Sequence, residues 1–201
     1  MEGWSPSETE EHDLKYFQGF FFYPPLLGLF VLYASWGRKG WYLEFPLLFA
    51  GGLVAWMFIE YVMHRALFHR PERRGHWWSF MPWAHHTHHE YPRDIRLILA
   101  PVWFSLPFSI VIGLFLTLLF GEWQRAIYVL SGIWLGYLWY EFVHYSAHCR
   151  QPGTRFMRYL KTYHLLHHHT SEKIWFGVTS PLIDYLFGTH RNPPIRTKQS
   201  R

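Results

Sequence analysis

Residues 97–120 read LILAPVWFSLPFSIVIGLFLTLLF, 24 positions without a charge, their polar side chains limited to Ser105, Ser109 and Thr117. About 20 apolar residues cross the hydrocarbon core of a bilayer, so this run predicts a membrane-spanning helix. Apolar runs of that length are rare among the buried helices of soluble folds. Three further segments read the same way. Phe17 to Trp36 is an uncharged run of 20 residues broken by Pro24-Pro25, and Trp41 to Met63 carries only Glu44 near its start and Glu60 near its end. Ala126 to Tyr140 continues as helix into EFVHYSAH. The expected architecture is therefore all-α, an integral membrane protein of four transmembrane helices. Half of the 201 residues are hydrophobic, yet the mean hydropathy is −0.08, so the remaining segments must be strongly polar.

The links Gly37 to Gly40 and Gly121 to Arg125 are short and predict two tight helical hairpins. Four spans then put the N-terminus, residues 64–96 and the chain beyond about residue 144 on one side. The hairpin tips hold Arg38, Lys39 and Arg125, and the other 16 of the 19 basic residues lie opposite. The positive-inside rule makes that opposite side cytoplasmic: the endoplasmic reticulum membrane in a eukaryote, the inner membrane in a bacterium. The formal charge of +5 thus reports topology and contact with lipid headgroups, and no nucleic-acid partner is expected. The acidic, polar start does not resemble a signal peptide. Residues 1–16 read as a polar tail, 17–190 as one membrane-embedded domain and 191–201 as a basic tail. A single cysteine, Cys149, excludes a disulfide framework and cysteine-based zinc modules.

The polar segments hold the histidines. EYVMHRALFHR carries His64 and His69, WAHHTHHEYPRD carries His85, His86, His88 and His89, YEFVHYSAHC carries His144 and His148, and YHLLHHHT carries His164, His167, His168 and His169. All four stretches emerge on the same predicted face, as a His-rich helical cap. His144 and His148 are i, i+4, which stacks two imidazoles on one helical stripe. His85, His88, His89 and His164, His167, His168 are both i, i+3, i+4 triplets, each able to present three ring nitrogens to one small volume. His64 and His69 are five apart, about 140° round an ideal helix. They either serve different metals or the helix loosens there. Ten histidines exceed the four to six ligands of one ion and imply a dinuclear site. His12, His76 and His190 read as bystanders, and His86 and His169 point away from the triplet stripes. Glu60, four before His64, and Glu141, three before His144, are expected to accept the second N–H of ligating imidazoles; direct ligation by either glutamate stays open. Asp94 and Asp184 fit ordinary helix caps.

An all-imidazole shell suits iron, zinc or copper. The absence of thiolates argues against structural zinc, and hydrolytic two-metal sites normally use bridging carboxylates. A nitrogen-rich pair of ions beside a bilayer suits oxygen activation and attack on an unactivated C–H bond. A metal transporter or storage protein would instead place ligands near the bilayer midplane, where residues 97–120 carry none.

From Glu60 to His190 the sequence resembles the fatty acid hydroxylase/sterol desaturase superfamily, through EYVMHRALFH, HHTHHEYPRDIRL, GYLWYEFVHYSAH, YHLLHH and FGVTSPLIDYLFGT. Within it the resemblance is greatest to fatty acid 2-hydroxylases. It implies that His64, His69, His85, His88, His89, His144, His148, His164, His167 and His168 ligate metal, with no catalytic residue beyond them. It implies 2-hydroxylation of a long acyl chain, free or in a sphingolipid such as ceramide, with O2 as co-substrate. Two metal ions are implied, iron for activity and zinc in purified protein. No His-Pro-Gly-Gly stretch marks a haem-binding cytochrome b5 module, so a separate electron donor is expected, a cytochrome b5-like protein or a ferredoxin with its reductase. Three positions depart from the hydroxylase pattern: His86 replaces Gly, Glu141 replaces Asp and Ile183 replaces Trp. A sterol or carotenoid oxidase or desaturase is the alternative within the superfamily.

Overall fold

The structure, a computed structural model, describes residues 14–71 and 79–192, and all regular elements among them are helical. His12, His76, the first 13 residues of the polar tail and the basic tail from residue 193 lie outside the described residues. Helices α1 (Gln18–Ser35) and α2 (Trp41–Val62) form one hairpin, α5 (Val102–Phe120) and α6 (Trp123–Cys149) the other. Between them lie α3 (Phe80–Glu90) and α4 (Ile95–Ile98), and after them α7 (Arg155–His169) and α8 (Leu182–Leu186). The first hairpin turns through Gly40 at φ 76°, and α5 stops at Gly121 at φ 67°, left-handed positions where glycine carries no Cβ penalty.

Among the described residues three helical stretches are long and apolar enough to cross a membrane: Trp41–Phe68, Ile95–Phe120 and Trp123–Cys149. The fourth expected span forms α1, an 18-residue helix outside that set. It lies along α6, where the fully buried Tyr23 packs on Trp134 and Tyr137 and shares a hydrogen bond of 2.8 Å with Ser105 Oγ. Burial distinguishes the spans. The apolar window of Trp123–Cys149 is 72% buried, against 22% and 11% for the other two, so α6 is the axis and its neighbours offer their apolar faces outward.

Glycines set how closely α2 approaches that axis. A Cβ on Gly52 would stand 2.1 Å from the Val129 carbonyl oxygen, and one on Gly132 2.1 Å from that of Phe49. Small residues that let backbones touch are a common basis of helix association in membranes. At the hairpin ends Arg38 reaches Glu44 and Glu122, each at 2.8 Å, while Arg125 reaches Glu44 at 3.1 Å. The basic residues of the two tips thus tie one hairpin to the other.

Past Val62 the backbone widens into a π-helical turn, Met63–Phe68, closed by His69 N–H donating to His64 O at 3.3 Å. Such turns often mark functional positions. The α2–α6 crossing yields a direct expectation. Gly132→Ala should destabilise the protein in detergent by about 1–3 kcal/mol through overpacking. Gly51→Ala, whose Cβ would meet nothing, should stay within about 0.5 kcal/mol of the parent. Equal thermal unfolding of the two variants would contradict the close crossing.

Candidate metal centre

The ten histidines fall into two groups of five. Group A comprises His64, His69, His85, His89 and His167; group B comprises His88, His144, His148, His164 and His168. Within each group one ligand atom per residue lies within 4.8 Å of all the others. His89 and His168, one from each group, stack at 4.0 Å, so the groups adjoin.

This grouping alters two expectations. Neither triplet serves a single volume. His85 and His89 go to group A while His88 goes to group B; His164 and His168 go to group B while His167 goes to group A. The i, i+4 members share a stripe, and the i+3 member falls on its other side. His64 and His69 join the same group because the π-helical turn widens the helix between them. His86, His169 and His190 belong to neither group; His190 stacks on Tyr185 at 3.7 Å.

The ring atoms that converge are Nε2. In group A, His69 stands 2.9 Å from His167 and 3.0 Å from His85, which is 3.1 Å from His89. In group B the pairs are His88 with His144 at 2.9 Å, His148 with His164 at 2.8 Å and His164 with His168 at 3.0 Å. The Nδ1 atoms point outward: His64 donates to Phe176 O at 2.6 Å, His144 to Ile98 O at 3.0 Å and His167 to Ile174 O at 2.9 Å. An imidazole that donates through Nδ1 presents a bare lone pair at Nε2. His64 Nε2 is buried with no hydrogen-bond partner. Converging lone pairs repel one another, and a cation between them removes the conflict. Two nitrogens bound at about 2.1 Å and at right angles would be about 3.0 Å apart, close to these separations. The residues therefore fit a metal ion in each group.

Charge points the same way. Burial, then neighbouring imidazoles, lowers the His69 and His89 pKa values from 6.5 to about 3. Burial brings His167 to about 4 and holds His85, His88, His164 and His168 well below the usual range. Neutral imidazole is the metal-binding form.

The expected contacts of Glu60 and Glu141 are corrected. Neither takes a histidine N–H. Glu60 accepts from Val178 N at 2.6 Å, Thr179 N at 2.9 Å and Thr179 Oγ1 at 2.5 Å, and Glu141 accepts from Ala100 N at 3.1 Å. Each sits on its own helix, pointing at a loop rather than along the stripe, and fixes the loop whose carbonyls hold His64, His167 or His144. Asp94 does cap α4, accepting from Arg96 N at 3.0 Å. Asp184 is no simple cap: fully buried, it accepts from Phe176 N, Gly177 N and Thr189 Oγ1. The carbonyls of Ile98, Ile174 and Phe176 had no signal in the sequence, since every residue carries one.

The sequence profile of the fatty acid hydroxylase family matches residues 49–189. A dihydroceramide fatty acyl 2-hydroxylase of Arabidopsis thaliana is 35% identical over 153 residues, covering 73% of this chain and 63% of that protein. Fatty acid 2-hydroxylase of Mus musculus is 37% identical over 149 residues, 71% of this chain and 39% of that protein. The chain thus spans less than two thirds of the length of either relative. The solved hydroxylase domain of full-length Scs7p superposes with a TM-score of 0.75 at 30% identity, over 89% of this chain and 67% of that one.

The depressed histidines give stability a pH dependence. Unfolded, these imidazoles take up protons below about pH 6.5; folded, they stay neutral until about pH 3 to 4. The unfolded state therefore binds more protons across that window, and stability falls as pH falls through it. Metal-free protein should resist denaturant fully above pH 6.5 and progressively less down to about pH 4. A denaturation midpoint unchanged between pH 7.5 and pH 5 would contradict neutral, buried imidazoles.

Proposed function

The chain belongs to the fatty acid hydroxylase family, and from that premise we propose that it hydroxylates carbon 2 of a long acyl chain, free or amide-linked in a ceramide. The balance is one O2, two electrons and two protons in, with one oxygen atom inserted into the C–H bond and the other leaving as water. Ions bound by the two histidine groups, iron by expectation, would supply the oxygen activation that attack on an unactivated C–H bond requires. The ten histidines are the ligands in this reading, and a separate protein delivers the electrons.

The observation that carries the reading is a cavity of about 360 Å³. His64 and His85 of group A and His144 of group B line it, and it continues along α5 and α6 to Ile112, Ile133 and Trp134. The 11 helical steps from Ile133 to His144 make that wall about 16 Å long. An extended hydrocarbon advances about 1.25 Å per carbon, so about a dozen carbons fit beyond the histidines. Its walls are mainly apolar, with Trp56, Ile59, Phe104 and Phe108 among them, and they exclude water from the chain. The exposed Arg96, ion-paired with Asp94 at 2.5 Å, is the one arginine or lysine among the described residues of its walls. A polar acyl head held there leaves the adjoining methylene beside the histidines and the tail in the spans.

The membrane arrangement proposed with it has α1 as a fourth span and both termini and the histidines on the cytoplasmic side. The clustering of basic residues away from the tips Arg38, Lys39 and Arg125 supports it.

Expressed in a host that lacks 2-hydroxylated lipids, the chain should produce them. His148→Ala should abolish the product at matched protein level, and Ile112→Trp, filling the deep end of the cavity, should shift product toward shorter acyl chains. His169→Ala, outside both groups, should retain it. The ratio of 2-hydroxy to unsubstituted chains by mass spectrometry reads all three; full activity in His148→Ala refutes the site, and an unchanged chain profile in Ile112→Trp refutes the cavity. For topology, tags at both termini should be reachable from the cytoplasm and one inserted at Gly121 should not. Termini on opposite sides would refute an even number of spans.

A further inference from the structure

Residues 172–176, between α7 and α8, face the outer side of group A and meet four of its five imidazoles. The carbonyls of Phe176 and Ile174 accept from His64 and His167. The carboxylate of Glu172 straddles the other two, Oε2 at 3.6 Å from His69 Nδ1 and Oε1 at 3.4 Å from His89 Nδ1. At these separations the carboxylate faces neutral rings, short of an ordinary hydrogen bond to either Nδ1–H. The side chain is 53% exposed and can swing to shorten either one, whereas the two rings are only 9% and 7% exposed. The backbone beneath is fixed at both ends: Ser171 N donates to Leu166 O, Trp175 N to Thr189 O and Phe176 N to the buried Asp184.

Group B has no such strap. His144 has the carbonyl of Ile98, and the Nδ1 atoms of His88, His164 and His168 are buried without a hydrogen-bond partner, as is His89 Nδ1 in group A; the difference is that among the described residues only His69 and His89 have a carboxylate beside Nδ1. A carboxylate beside a ligating imidazole fixes its tautomer, orients the ring and raises its basicity.

We propose that Glu172 is a positioning residue for group A, holding His69 and His89 with Nε2 free to ligate and making the group A ion the more tightly held of the two. The inference rests on the dinuclear reading of the proposed function and adds an inequality between the two ions. Glu172 touches no reacting atom in this account; it acts through the rings it faces.

The test uses the purified full chain in detergent, loaded with zinc(II), with metal content and release to a chelator followed over time. The parent should release two ions in two phases of one ion each. His89→Ala should remove the slow phase and His148→Ala the fast one. Glu172→Ala should speed the slow phase 10–100-fold and leave the fast phase unchanged. Glu172→Asp, too short to reach both rings, should fall between. Metal-free thermal unfolding should be the same for the parent and both Glu172 variants, which separates positioning from a structural role. A slow phase unchanged in Glu172→Ala, or lost in His148→Ala instead of His89→Ala, overturns the inference while leaving the dinuclear reading intact. Fewer than two ions on the parent chain overturns the dinuclear reading and the inference with it.

Discussion

Ten imidazole lone pairs brought to bear on two small volumes are an unfavourable arrangement on their own, and the protein is organised around tolerating it. Every one of these rings belongs to a buried or half-buried residue. Nitrogens that would repel one another stand 2.8 to 3.1 Å apart. Burial keeps them neutral, so repulsion between imidazolium charges is avoided at the cost of unused hydrogen-bonding capacity. Part of the restraint comes from outside the ring of nitrogens, where backbone carbonyls accept from the opposite edges of His64, His144 and His167.

That restraint depends on rigid spans. The crossing of α2 and α6 at Gly52 and Gly132 fixes where His64 and His144 emerge from the apolar layer, because both histidines lie on continuations of those helices. Glu60 and Glu141 then join each span to the loop beside it, by Thr179 on one side and Ala100 on the other. The same helices wall the apolar cavity, so the cavity and the histidines are positioned by one frame.

Much of this was legible in the sequence for identifiable reasons. Uncharged runs report long apolar helices because charge is costly in an apolar layer, and H-x-x-H-H patterns report converging histidines because few other constraints repeat imidazole at helical spacing. What escaped reading depended on backbone geometry. The π-helical turn between His64 and His69 breaks the 3.6-residue period from which their separation was inferred. The division of each triplet between two groups needs the docked orientation of α3 against α7. Glu60 and Glu141 share a stripe with histidines, yet they accept from donors 118 to 119 and 41 positions away. Glu172 follows the last histidine cluster without a pattern of its own, and Asp184 looked like a cap because its buried donors lie in an irregular loop.

The interleaving of histidines on α3 and α7 makes both groups depend on the placement of the same two helices. Each of these helices contributes two rings to one group and one ring to the other, in opposite senses. A change in how α3 or α7 is placed therefore moves rings of both groups at once. The same geometry constrains divergence: a substitution that re-aims α3 to retune one group must be answered on α7, and the pair of helices can only be remodelled together.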